Sequence, residues 1–177
     1  MSEAPVCIPR SYLIANLAAM LGQQNGGLTY LELGTAANET LGMVAGVCPQ
    51  ARCIGVDTRA VDPGLPNVTM YTMTTLEYLG QFASGDGPFN LAYIDADHAF
   101  ESVAKDFCAL YPFMADQSLI LLDDTWPGSK EATDPGYSGT AYLMAHWLGV
   151  GGYEHLTIPA SPGLTLVRKK ERHLPWA

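Results

Sequence analysis

The chain has 177 residues, 48% hydrophobic and 15% charged, enough to bury one sizeable core and too few to expect a second domain. Its net charge is -9, and Arg168, Lys169, Lys170 and Arg172 hold four of the nine basic residues in the tail, so the body is more acidic still. That balance excludes the basic face of a nucleic-acid enzyme and points to a small-molecule partner. No run approaches the ~18 apolar residues of a membrane span, and MSEAPVCIPR lacks a charged-then-apolar leader, so no membrane attachment and a cytoplasmic location are expected.

Tyr12, Leu13, Leu17, Met20 and Leu21 fall near helical spacing before Gln23 to Gly27 breaks the pattern, which predicts one leading helix against a sheet. Residues 1–27 leave little length ahead of the first strand, so the N-terminus is expected to add little to a substrate site. Cys7, Cys48, Cys53 and Cys108 lack C-x-x-C spacing and read as reduced structural thiols.

Tyr30 to Ala45, YLELGTAANETLGMVA, is an apolar strand that meets an acid and a Gly-Thr turn and then takes up helical periodicity from Leu41. A ligand is expected at that helix's N-terminus, with Gly34 permitting close backbone approach. The G-x-G-x-x-G of dinucleotide sites is missing. Instead, Glu32, Gly34 and Asn38 resemble the E/D-x-G-x-x-x-G signature of class I S-adenosylmethionine (SAM) methyltransferases, with Asn38 in place of the last glycine and able to hold a left-handed backbone. The resemblance implies a Rossmann-like α/β fold and a cofactor lying across Glu32, Gly34, Thr35 and Asn38.

The second strand, Arg52 to Asp57, ends in a carboxylate that can accept both ribose hydroxyls of an adenosine cofactor, or can stand as a solvated strand-end acid. A third strand is expected over Asn67 to Tyr71 and a helix near Thr75 to Phe82. Methyltransferases commonly hold adenine with an acid after this strand. Met73 and Thr74 stand there instead, and a helix cap beside a packed Met is the competing reading.

Phe89 to His98, FNLAYIDADH, reads as a fourth strand and Ser118 to Trp126, SLILLDDTW, as a fifth, each with acids at its carboxyl end. In a parallel sheet Asp95, Asp97, Asp123 and Asp124 should converge, and with few Arg or Lys to neutralise them a hard divalent cation is the economical counter-charge, magnesium first and manganese or calcium next. The D-A-D-H and D-D-T-W motifs resemble cation-dependent O-methyltransferases related to the caffeoyl-CoA and catechol enzymes, and more closely the small bacterial group acting in macrolide-sugar and cephamycin pathways. That resemblance implies Asp95, Asp123 and Asp124 as metal ligands, with Asp95 also beside the cofactor. It sets His98 where sugar-modifying relatives carry a base; a structural His is the alternative. Asp97 could orient His98, bind substrate or cap the helix from Ala99, whose apolar face is Phe100, Val103, Phe107 and Leu110.

Trp126 to Gly139 has loop composition, making Trp126, Lys130 and Tyr137 candidates for acceptor contact, and a helix is expected around Ala141 to Leu148. Tyr153 to Ile158 and Leu164 to Arg168 read as an antiparallel pair across a Pro-Ala-Ser-Pro-Gly link, and His146 and His155 read as structural. The expectation is one domain over residues 1–177, a mostly parallel seven-stranded sheet with a C-terminal antiparallel hairpin and helices on both faces. It is expected to methylate a hydroxyl of a small molecule, and an oligomer is compatible with it. A nicotinamide-dependent oxidoreductase and a catalytically silent SAM-binding or partner-binding module are the alternatives.

Overall fold

The computed structural model describes residues 9–125, 147–149, 151–158 and 163–169. The chain runs α1 (Arg10–Asn25), β1 (Thr29–Leu33), α2 (Glu39–Val47), β2 (Arg52–Asp57), β3 (Val68–Thr72), α3 (Thr75–Gln81), α4 (Ala83–Asp86), β4 (Phe89–Ile94), α5 (Phe100–Leu110), a 3-10 turn (Tyr111–Phe113), β5 (Met114–Asp123), β6 (Glu154–Ile158) and β7 (Leu164–Arg168). The strands form one seven-stranded sheet in the order β3-β2-β1-β4-β5-β7-β6. β3 to β5 are parallel, while β7 is antiparallel to both β5 and β6. The expected sheet and terminal hairpin are both present.

Period-two alternation gives the sheet two apolar faces. Leu31, Leu33, Ile54, Val56, Ala92 and Ile94 pack with α3 and α5 through Tyr78, Leu79, Val103, Phe107 and Leu110. On the other face Tyr30, Cys53, Leu91, Tyr93 and Leu121 pack with α1 and α2 through Ile14, Ala18, Leu41 and Val44. Cys48, Cys53 and Cys108 are free thiols, as expected. Among the described residues no helix is long and apolar enough to cross a membrane.

Two boundaries differ from expectation for local reasons. β5 begins at Met114, not Ser118, because a register shift against β4 and a left-handed Gln117 (φ 58°) absorb an irregular stretch within one longer strand. It stops at Asp123, well before Trp126, because Asp124 turns left-handed at φ 51°. The acceptor candidates Trp126, Lys130 and Tyr137, His146, Cys7 and most of the helix expected before Leu148 lie outside the described residues.

Gly34 is required by the chain itself. Its φ is +88°, and a methyl group there would lie 2.3 Å from the Asp95 carbonyl oxygen and 2.5 Å from the Ala96 Cα. The close approach is thus to the turn after β4. Gly34→Ala must break both conditions, so an expected loss of about 3 kcal/mol should appear as a lower denaturant midpoint. A loss under about 1 kcal/mol would show that the two turns can separate freely.

Glu32 sits by alternation on the α1/α2 face and is only 2% exposed. Burial raises its carboxyl from 4.5 to about 8; the hydrogen bond from the Tyr30 hydroxyl (2.6 Å) and one from the Leu41 amide oppose the rise, and Asp95 adds to it. Between those two values the folded protein keeps a proton that the unfolded chain has lost. The resulting stabilisation is complete below about 4.5 and is lost as pH rises through about 8, an effect on the order of 5 kcal/mol at most. Glu32→Gln should therefore flatten the fall in melting temperature between pH 5 and 9. An undiminished slope in the variant would assign that titration to other groups.

Candidate functional site

β1 and β4 are neighbours, yet the chain leaves β1 toward β2 and β3 and returns to β4 and β5. At this reversal the turns after adjacent strands part, which is where open parallel sheets bind ligands. A cleft of about 920 Å³ lies there, lined among others by Gly34, Asp57, Met73, Thr74, Asp95 and Asp97. Six sequence-predicted site residues thus share one cavity. Glu32, Thr35 and Asn38 do not line it: Glu32 is beneath α2, and Thr35 and Asn38 are 4% and 9% exposed. Asn38 does adopt the left-handed backbone expected of it, with φ 61°. Its Nδ2 donates to the Val61 carbonyl, while its Oδ1 and the Thr35 hydroxyl are buried without partners.

Asp57 at the end of β2 accepts hydrogen bonds from the backbone amides of Thr35 (3.1 Å), Ala36 (3.0 Å) and Arg59 (2.8 Å). Burial works against its charge, but these three bonds and the nearby Arg59 side chain hold its pKa below the ordinary carboxylate value. It is therefore an ionised acceptor on the cleft wall, with about one lone-pair site, on Oδ1, beyond those three bonds. Thr74 is a helix cap. Its hydroxyl accepts from the Glu77 amide, and the Glu77 carboxylate accepts in return from the Thr74 amide (2.9 Å), completing a capping box at the start of α3. Asp97 accepts from the Ala99 amide (3.1 Å) and the Ser102 hydroxyl (2.6 Å); the Ser102 bond does most to lower its pKa, and together the bonds fix the entry into α5.

Sequence reasoning missed Ala36, Arg59, Ser102, Lys105 and Asp106 on the cleft wall. A signal existed for three of them, because Ser102, Lys105 and Asp106 recur at i, i+3 and i+4 on α5 beside its apolar face. Asp106 is 4% exposed and accepts from the Thr75 hydroxyl (2.6 Å), so it also pins α5 to α3.

Of the four acids expected to converge, Asp95, Asp123 and Asp124 meet while Asp97 bonds Ala99 and Ser102 instead, and a residue that was not expected joins the three. Arg10, the first residue of α1, is ion-paired with Asp123 Oδ2 and lies 3.5 Å from Asp124 Oδ1. This corrects two expectations: the N-terminus does reach the site, and the acids do have a cationic side chain. Burial is the largest single effect and would lower the Arg10 pKa, but the charge of Asp123, the hydrogen bond to it, and Tyr93 and Asp95 together outweigh it and keep the guanidinium charged. His98 Nδ1 is 2.6 Å from Asp124 Oδ2, and its Nε2 is 3.8 Å from Asp95 Oδ1. The bond to Asp124 raises the His98 pKa against the opposing effect of burial, and Asp124, Asp95 and Asp123 add their charges.

Neutralisation is still incomplete. Asp95 is pushed up to about 8, first by burial, then by the charge of Asp123 and a hydrogen bond to it, with Arg10 and His98 opposing. Asp123 Oδ1 is buried and has no hydrogen-bond partner. Among the described residues no three acidic, His or Cys side chains already form a metal cage. The all-oxygen donor set and the unpartnered Asp123 Oδ1 nevertheless fit a hard divalent cation. His155 takes no part; it is exposed, with Nδ1 3.2 Å from the Tyr153 carbonyl.

A family of methyltransferase domains matches residues 22–125. Demethylmacrocin O-methyltransferase of Streptomyces fradiae is 30% identical over 89 residues, 48% of this chain and 22% of that protein. Mycinamicin VI 2''-O-methyltransferase of Micromonospora griseorubida is 30% identical over 91 residues, 49% of this chain and 23% of that protein. The matches thus span less than a quarter of those curated relatives. Among solved structures, the MycE methyltransferase of the mycinamycin biosynthetic pathway, in complex with Mg and SAH, superposes with TM-score 0.69 at 17% identity over 92% of this chain and 55% of that one. The O-methyltransferase TomG from Streptomyces achromogenes, in complex with SAM, gives TM-score 0.69 at 16% identity over 96% and 83%. The sheet order with its terminal hairpin is the class I methyltransferase fold, and the chain belongs to the methyltransferase-domain family.

Proposed function

We propose that this chain transfers a methyl group from SAM to a hydroxyl of a small molecule, with a divalent cation held by Asp95, Asp123 and Asp124. The observation that carries this reading is the meeting of those acids, one buried oxygen unpartnered, beside a cleft walled by Gly34 and Asp57. The matched relatives add support: two are named as O-methyltransferases of demethylmacrocin and mycinamicin VI, and MycE was solved with Mg and SAH.

Asp57 is the residue to receive the ribose hydroxyls, because it is ionised, lines the cleft and keeps acceptor capacity. Gly34 and the Ala36–Ala37 turn provide the neighbouring wall, and Met73 and Thr74 the wall across from Asp97. The buried Thr35 hydroxyl and Asn38 Oδ1 stand ready for polar partners one layer behind, with Glu32 supporting the loop from below. SAM supplies a sulfonium leaving group, and a divalent ion lowers the pKa of a coordinated hydroxyl. What remains for the protein is alignment and proton removal. His98 would remove the proton from its neutral form, in which Nδ1–H donates to Asp124 and Nε2 carries the lone pair; the neighbouring carboxylates raise its pKa, so that form gains as pH rises. Asp97, bonded to Ala99 and Ser102, steadies the turn that carries His98.

Calorimetry should show binding of S-adenosylhomocysteine and none of NAD; the reverse would favour an oxidoreductase. Asp57→Ala should weaken that binding by ~1.5 to 3 kcal/mol while circular dichroism stays native, and unchanged affinity would remove Asp57 from the site. With an acceptor in hand, excess chelator should abolish turnover and magnesium restore it, and Asp124→Ala should be inactive with or without metal. Full transfer in chelator would leave a metal-free base mechanism through His98.

A further inference from the structure

We propose that Arg10 is a positioning residue of the divalent-cation site: it holds one oxygen of Asp123, turns the other toward the cation, and trims the charge of the acid cluster to match a dication. The inference rests on the metal reading above.

Three carboxylates, Asp95, Asp123 and Asp124, bring three formal negative charges to the ends of β4 and β5. Arg10 cancels one, and with His98 neutral, as its role as base requires, two remain for one divalent ion. Without Arg10 the cluster would be over-charged for magnesium or manganese and better matched to a trivalent ion. The geometry points the same way. Arg10 engages Oδ2 of Asp123, and Oδ1 of that carboxylate is the buried oxygen left without a partner. A carboxylate fixed at one oxygen and bare at the other is how outer partners orient metal ligands, and losing such a partner typically costs 10–100-fold in metal affinity.

Arg10 is also fixed from behind. It opens α1, whose Ile14, Ala15 and Ala18 are buried against the sheet, and Ser11 beside it hydrogen-bonds Glu39 at the start of α2 (3.2 Å). The guanidinium is therefore delivered by a packed helix, and its side chain is 33% exposed over nearly buried partners. Arginine suits this position because it stays charged at any working pH, and here a single guanidinium nitrogen, Nη1, faces both Asp123 and Asp124.

The test is metal binding by the whole chain, without turnover. Mn²⁺ affinity from electron paramagnetic resonance of the free ion should fall about 10–100-fold in Arg10→Ala and recover in part in Arg10→Lys. The ratio of Tb³⁺ to Mn²⁺ affinity should rise in Arg10→Ala, a change that general loosening of the fold does not produce. S-adenosylhomocysteine affinity, read in parallel, should stay within about twofold. If Arg10→Ala does not fold, Arg10→Gln, which keeps donors and removes the charge, carries the same comparison. Equal or tighter Mn²⁺ binding in the variant would overturn the proposal and make Arg10 a competitor of the metal, leaving the metal reading intact. No Mn²⁺ binding by either protein, with S-adenosylhomocysteine still bound, would remove the metal reading and this inference together.

Discussion

Negative charge gathered at the carboxyl ends of β1, β2, β4 and β5 is the constraint under which this fold has to close. Glu32, Asp57, Asp95, Asp123 and Asp124 all lie at or near those ends. Each is balanced differently, in step with how much water it keeps. Asp57 is satisfied by backbone amides and stays ionised. Glu32, fully enclosed, is balanced by holding a proton well above the usual range. Asp123 and Asp124 share Arg10 and His98, and Asp95 has the least direct neutralisation.

The topology leaves little choice in this. Parallel strands end on the same side, so any acid closing β4 or β5 faces its neighbour, and the reversal between β1 and β4 opens the cleft beside them. Gly34 then sets how close the walls stand. Because its missing side chain lets the first turn lie against Asp95 and Ala96, the loop of Asp57 partners and the acid cluster are held a turn apart. The Gly34 and Asp95 amides extend the β1 ladders to either side, through the Val56 and Leu33 carbonyls. A single backbone junction thereby couples the proposed cofactor wall to the proposed metal wall.

Much of this was legible because it is local. The apolar runs of β2 and β7 and their terminal residues match expectation residue for residue, since strand ends there coincide with a charge. The acids were found because they follow those runs directly. Arg10 was not legible: it is 114 positions from Asp124, and a lone arginine at the head of an amphipathic helix carries no periodic signal of its destination. The close approach at Gly34 was legible but its partner was not, because a sequence shows that backbone must come close but not which backbone. The β5 start was missed since exposed Asp116 and Gln117 interrupt the apolar run before Ser118 while the strand continues through a register shift.

The antiparallel hairpin explains why Asp124 can hold an unfavourable backbone at all. An Asp at φ 51° is uncommon and must be over-determined by its surroundings. Next to it, Thr125 is 1% exposed and accepts a hydrogen bond from the Thr165 hydroxyl of β7 (2.8 Å), which in turn lies 2.8 Å from the Thr157 hydroxyl of β6. β7 itself pairs with β5 up to Asp123 opposite Leu164. A parallel final strand would enter from the opposite end and bring its loop, not its first paired residue, to this turn. The hairpin thus clamps the β5 terminus by ladder and hydroxyl chain together, and the left-handed Asp124 that results is the one His98 and Arg10 both reach.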